Sequence, residues 1–159
     1  NSAEDARALI AATKFPAVGE RSWGPARVLA LRGSEPQAYL ESANRTSLAL
    51  AMIETDRALG ALDDILAVQG LDGVFVGPSD LSVSFSDGKQ IAPFDPSLDD
   101  AIRRIADLAN AAGKIAGAFA ANPDRARTFR DWGFRLIAVG TDQAYLANGA
   151  KAMLAAISA

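Results

Sequence analysis

Two residue types are missing altogether, and each absence narrows the chemistry. The 159 residues include no cysteine, so disulfides and thiolate metal sites are excluded and the redox compartment stays open. They include no histidine, which removes the commonest general base near neutral pH and the commonest transition-metal ligand. Any metal must then be held by oxygen, which favours hard cations such as Mg²⁺ or Mn²⁺. No apolar run reaches the roughly 18 residues that a membrane span needs. The opening Asn1-Ser2-Ala3-Glu4-Asp5 has no basic or apolar stretch of a signal peptide, and a cytoplasmic location is the default expectation. There is no Lys/Arg stripe, and a formal charge of −3 argues against nucleic acid. The chain also starts without methionine and directly on a helix cap, as a cut segment would.

What is present is half hydrophobic and sized for one domain, residues 1–159. Ser2 with Asp5 resembles a capping box, and Ala6, Leu9, Ile10 and Thr13 follow at helical spacing as far as Pro16. Residues 17–33 read as a loop rich in Gly, Arg and Trp, and a second capping box at Ser34 and Gln37 starts a helix to about Asn44. One pattern then repeats four times. Short apolar runs at 48–53, 73–76, 115–120 and 136–139 each precede an amphipathic helix. The first helix places Leu59, Leu62 and Leu66 on one face, the second carries Leu98, Ile102, Ile105 and Leu108, the third runs through Phe129 and Trp132, and the last has Leu146, Met153, Leu154 and Ile157 facing inward. Asp95-Pro96 and Asn122-Pro123 cap two of them, and Gly113 ends one.

Continuous apolar strands alternating with helices mean a parallel sheet covered by helices. Four βα units and a leading helix suit an open doubly wound sheet or half of a closed (β/α)₈ barrel, which when whole needs roughly 250 residues. No Gly-rich Rossmann or Walker signature supports a nucleotide reading.

Sites in such folds gather where strands end. Here the ends read Glu54-Thr55, Gly77-Pro78-Ser79-Asp80, Ala121-Asn122 and Gly140-Thr141-Asp142. Glu54 and Asp80 end consecutive strands, which lie about 4.8 Å apart, so both carboxylates can reach one cation. An acid at a helix start also offsets the macrodipole, so Glu54, Asp80 and Asp142 each have an ordinary capping role open to them. The turn at Gly77-Pro78-Ser79-Asp80 can aim backbone N–H groups at an anion, or can simply be a βα turn. After it, Leu81 to Phe94 reads as a long loop on the same rim. Lys89 in that loop reads as a solvated charge and Lys114 starts a strand at the opposite rim, which counts against Schiff-base chemistry. Arg21, Trp23 and Arg27 read as a cover on the barrel surface.

The stretch Gly70-Leu71-Asp72-Gly73-Val74-Phe75-Val76-Gly77-Pro78-Ser79-Asp80-Leu81-Ser82 resembles the signature of the HpcH/HpaI aldolases. Ala12-Thr13-Lys14-Phe15-Pro16, Arg21-Ser22-Trp23-Gly24, Ile53-Glu54-Thr55 and Ala138-Val139-Gly140-Thr141-Asp142 resemble further family segments, in the same order. The resemblance implies the C-terminal half of a TIM barrel and a class II pyruvate aldolase. It implies that Glu54 and Asp80 ligate the divalent metal, Mg²⁺ or Mn²⁺ with Co²⁺ a further candidate. It implies that Gly77, Ser79 and Asp80 hold the pyruvate carboxylate, and that Thr141, Asp142 and Tyr145 lie on the acceptor side. Many relatives have alanine where this chain has Ser79. The family's base is a histidine and its enolate is held by an arginine, both from earlier in the barrel, so this chain is expected to lack the catalytic residues. The implied partners are a 2-oxo acid and an aldehyde, with neither nucleic acid nor membrane, in a homo-oligomer that exchanges its last helix. Two other readings stay open: a CoA-ester lyase of the citrate lyase β-subunit or malyl-CoA type, and a non-catalytic half-barrel.

Overall fold

The computed structural model describes residues 1–158. Its centre is a four-stranded parallel sheet, β1 (Leu50–Ile53), β2 (Gly73–Val76), β3 (Ile115–Ala120) and β4 (Leu136–Val139). Each strand pairs with its neighbour in sequence, with Ile53 beside Val76, Val76 beside Ala118 and Ala120 beside Val139. The order never reverses, so there is no switch point of the doubly wound kind.

The strands' alternation separates two faces. Ile53, Val74, Val76, Ala116, Ala118 and Ala120 are fully buried, in one core with Leu62, Ile65, Ile102, Ile105 and Phe129 from the helices. Burying each of the larger side chains contributes about 1.5–3 kcal/mol. The other face carries Phe75, Phe119, Leu136 and Met52, the last 46% exposed. Gly117 on this face makes room for Phe75, whose ring lies 2.8 Å from where a Cβ would sit. A sheet in sequential order, covered by helices on one side, is the arrangement of a barrel segment and not of an open two-layered α/β sheet.

The helices are α1 (Ala3–Thr13), α2 (Ala26–Arg32), α3 (Pro36–Thr46), α4 (Asp56–Gly60), α5 (Leu62–Leu66), α6 (Pro78–Phe85), α7 (Asp99–Ala111), α8 (Pro123–Asp131) and α9 (Asp142–Ser158). Several start where polar side chains predict. Ser2 accepts from the Asp5 N–H at 3.1 Å, and Asn122 accepts from the Arg125 N–H at 2.8 Å. Asp95 caps the 3₁₀ turn Pro96–Leu98 that leads into α7, and Gly113 follows α7 at φ 67°.

Four expectations need correction. Residues 17–33 are not all loop, because the apolar run from Val28 to Leu31 lies within α2. Ser34 is not a cap: α3 starts after Glu35, without a side-chain bond, because Pro36 takes its first position. The segment from Leu81 is helical as far as Phe85, since Pro78 starts α6 and the intervening residues bury Leu81 and Ser82. Finally, the apolar residues of α9 do not face inward; Leu146 is 74% and Ile157 82% exposed, with Met153 and Leu154 also open to solvent.

At the strand-start side, Lys14 is 2% exposed. Its ammonium donates to the carbonyls of Asn44 (2.8 Å) and Ser47 (2.5 Å) and to Asp72 Oδ2 at 2.7 Å. Asp72 Oδ2 also accepts from the Ala49 N–H at 2.7 Å. One buried charge thus fastens α1, the end of α3 and the starts of β1 and β2. Next to it, Asn44 bonds both the N–H and the carbonyl of Phe15. Arg21 lies 4.6 Å over the Phe15 ring and Trp23 packs on Phe15 and Tyr39, the surface cover read from their composition. Arg27 is exposed.

Candidate functional site

Glu54 and Gly77 are the first residues beyond the registered pair Ile53 and Val76, so they stand side by side at the strand ends. They continue the open face that carries Met52 and Phe75. A Cβ on Gly77 would lie 2.5 Å from Glu54 Oε1 and 3.2 Å from Glu54 Cδ. The Glu54 carboxylate therefore rests on the bare Cα of Gly77, against the start of α6. Gly77→Ala should leave the fold intact, since only the tip of a flexible side chain must move. Were Glu54 to hold a divalent cation, the substitution would weaken its binding by roughly tenfold, as changes around metal ligands commonly do; Mn²⁺ titration alongside thermal unfolding checks this.

Asp80 is the third residue of α6 and is exposed. Gly77 is the extended residue before the helix, and its carbonyl accepts from the Leu81 N–H at 3.0 Å. Pro78 has no N–H, so two backbone donors at this end, those of Ser79 and Asp80, have no acceptor among the described residues. The expected row of N–H groups is thus a pair.

The capping alternative separates the acids. Thr55, not Glu54, caps α4, its hydroxyl accepting from the Ala58 N–H at 3.0 Å. Asp142 does bond locally, accepting from the Gln143 N–H at 2.8 Å. The Glu54 and Asp80 side chains have neither a hydrogen bond nor an ion pair among the described residues. Burial first, and then the negative charge of Asp80, raises the Glu54 carboxyl above its ordinary value. Two neighbouring carboxylates without a counter-charge are a fit for a hard divalent cation. No third acid joins them, since no group of three or more metal-binding side chains occurs among the described residues. An ion here would complete its shell with water and ligand oxygens.

Other residues named from the sequence fall elsewhere. Thr141 starts α9 by accepting from the Ala144 N–H at 3.2 Å, and Tyr145 donates to the Val139 carbonyl at 2.6 Å. With Asp142 they shape the end of β4, and among the described residues no hydrogen bond or ion pair joins them to Glu54 or Asp80. Lys89 is exposed and pairs with Asp87, while Lys114 donates to the Leu71 carbonyl at the strand-start side. Beside Ser79 is a cavity of about 20 Å³ lined by Pro78, Pro93, Phe94, Phe119 and Arg125, which suits one water. Composition gave no warning of the links made by Ser82 and Ser84. Ser82 donates to the Ser79 carbonyl (2.6 Å) and accepts from the Ala92 N–H (2.9 Å), and Ser84 accepts from the Asp56 N–H (3.1 Å). No helix among the described residues is long and apolar enough to cross a membrane.

Known proteins resemble this chain in sequence and in fold. The chain is 40% identical over 157 residues to a hydroxypyruvate/pyruvate aldolase of Roseovarius nubinhibens, an alignment covering 97% of this chain and 59% of that protein. It is 39% identical over 144 residues to a 2-keto-3-deoxy-L-rhamnonate aldolase of Escherichia coli K12, covering 89% of this chain and 52% of that protein. The chain thus spans little more than half the length of these relatives. A solved aldolase/citrate lyase family protein from Burkholderia cenocepacia J2315 superposes with a TM-score of 0.78 at 27% identity, over 99% of this chain and 62% of that one. Residues 1–149 match the family as a whole, and the chain belongs to the HpcH/HpaI aldolase/citrate lyase family.

Proposed function

We propose that this chain carries the metal-binding and donor-carboxylate-binding part of a divalent-metal-dependent aldolase that makes and cleaves 4-hydroxy-2-oxo acids. The observation that carries the reading is the pair Glu54, just past β1, and Asp80, in the first turn of α6, both without a hydrogen bond or ion pair among the described residues and close enough for one charge to disfavour the other. Aldolase names among relatives at 39–40% identity support the reaction class.

In this reading Glu54 and Asp80 hold Mg²⁺, Mn²⁺ or Co²⁺, and Gly77 leaves room for the Glu54 carboxylate. When bound, the cation supplies Lewis acidity that stabilises the enolate form of a 2-oxo acid. The free N–H groups of Ser79 and Asp80 receive the carboxylate of pyruvate or hydroxypyruvate, helped by the positive end of α6. Ser79 acts through its backbone, so the side chain at this position is free to vary. No residue of this chain is assigned as base: histidine is absent, and we propose that the proton is moved by a group outside residues 1–159. We also infer a homo-oligomer in which α9, whose Leu146, Met153 and Ile157 are exposed, packs on a neighbouring copy.

Proton exchange at the pyruvate methyl, followed by NMR in D₂O, tests the reading. Exchange that stops with a chelator and returns with Mn²⁺ is expected from the protein supplied with its base. Exchange indifferent to chelator would overturn the metal assignment. Turnover of a malyl-type thioester but not of a 4-hydroxy-2-oxo acid would move the chain to the CoA-ester branch. Mn²⁺ binding without any exchange would leave it a binding half-barrel.

A further inference from the structure

The carboxylate pair stands on two separate segments, the end of β1 and the first turn of α6, so something must fix one against the other. Main-chain pairing does this only as far as Ile53 and Val76. Beyond that register both segments leave the sheet, and the bonds that continue the connection come from one helix. Ser84 Oγ accepts from the Asp56 N–H at 3.1 Å, two residues after Glu54. Ser82, 4% exposed, donates to the carbonyl of Ser79, the residue before Asp80, at 2.6 Å, and accepts from the Ala92 N–H at 2.9 Å. A serine inside a helix commonly bonds back to a carbonyl of its own preceding turn, and this alone would be ordinary. Here Ser82 bonds back in that way, and both hydroxyls take N–H donors from outside the helix. Both are used to join α6 to its surroundings.

We propose that Ser82 and Ser84 are positioning residues for the Glu54–Asp80 pair. Ser84 ties the Glu54 turn to the body of α6, and Ser82 ties the Asp80 turn to the segment that follows the helix. Neither needs to touch the cation; each restricts how far one carboxylate can drift from the other. The inference rests on the reading of Glu54 and Asp80 as a cation site.

The experiment is Mn²⁺ titration of the protein, following the free-ion EPR signal, with thermal unfolding of the metal-free form in parallel. Ser84→Ala and Ser82→Ala should each weaken Mn²⁺ binding about threefold to tenfold, the range that one lost hydrogen bond allows. Ser84→Thr keeps the acceptor oxygen and should restore wild-type affinity; a purely structural role would lower the unfolding temperature of the metal-free form and leave the Mn²⁺ affinity of the folded protein unchanged. Ser86→Ala, whose hydroxyl serves only Val83 and Gln90, should bind Mn²⁺ as the wild type does. Should Ser82→Ala fail to fold, the Ser84 pair of variants still decides. Unchanged affinity in Ser84→Ala, or loss that Ser84→Thr does not restore, would overturn the proposal while leaving the site intact. Wild-type protein that fails to bind Mn²⁺, or binds it equally well as Glu54→Gln, would instead overturn the site reading and the proposal with it.

Discussion

Asp80→Asn should weaken Mn²⁺ binding by about a hundredfold or more, because changes merely next to metal ligands already cost tenfold to a hundredfold. The substitution keeps the size of the side chain and its place in the first turn of α6, so thermal unfolding of the metal-free protein should change little. It also has a signature in pH. On the proposed reading proton and cation compete for the Glu54 oxygens, and burial together with the Asp80 charge raises that carboxyl above its ordinary value. Wild-type Mn²⁺ binding should therefore start to fail, as pH falls, at a higher pH than an ordinary glutamate would set. In Asp80→Asn the charge contribution is gone, so the residual binding should hold on to lower pH. The linkage to stability has the opposite sign to that of a salt-bridged acid. A carboxyl raised in the folded state favours folding when protonated, so the metal-free protein gains stability as pH falls through that raised value. Glu54→Gln should then be more stable than wild type at neutral pH in chelator, and no better once the pH is low enough to protonate Glu54. Equal Mn²⁺ affinity in wild type and Asp80→Asn would remove Asp80 from the site.

Lys14→Met should cost about 3 kcal/mol of folding stability, read as a lower urea midpoint with an unchanged slope. The methionine fills most of the volume but leaves the Asn44 and Ser47 carbonyls without their donor and Asp72 without its counter-charge. Asp72 is partly open to water, with 29% of its side chain exposed, which keeps the cost at the lower end of the range for broken buried pairs. Lys14→Arg should not rescue it. Three acceptors converge on one ammonium, and a planar guanidinium cannot present its donors in that geometry. The Glu54–Asp80 pair is at the other end of the sheet, so Mn²⁺ affinity of the folded fraction should stay as in wild type. A variant within about 0.5 kcal/mol of wild type would show that the network is incidental.

The two predictions also separate what the sequence makes legible from what it hides. Buried strands announce themselves as runs such as Val74-Phe75-Val76, and caps such as Asn122 bond within three residues, so a local pattern suffices. Glu54 and Asp80 were legible because the strand-end rule places them without any knowledge of side-chain contacts. Lys14 was not, since what makes it structural is a partner 58 residues away. The start of α6 was missed for a related reason: Gly and Pro signal a turn equally well whether a loop or a helix follows. The outward face of α9 was misread because periodicity marks an apolar stripe but not what the stripe meets.

The sequential strand order bears on how such a chain is made. On the ribosome, residues arrive at about 5–20 per second, far slower than local pairing. Leu50 meets Gly73 and Gly117 meets Leu136, so each new strand docks on the one synthesised just before it, without waiting for a distant segment. Between one strand and the next there is a pause of about a second or more in which the newest strand is a bare edge. The Lys14 to Asp72 bond can close as soon as β2 begins to emerge, fastening β1 to β2 before β3 exists. Force measurements on arrested ribosomes should therefore register stepwise docking strand by strand, and in Lys14→Met the step that docks β2 on β1 should weaken.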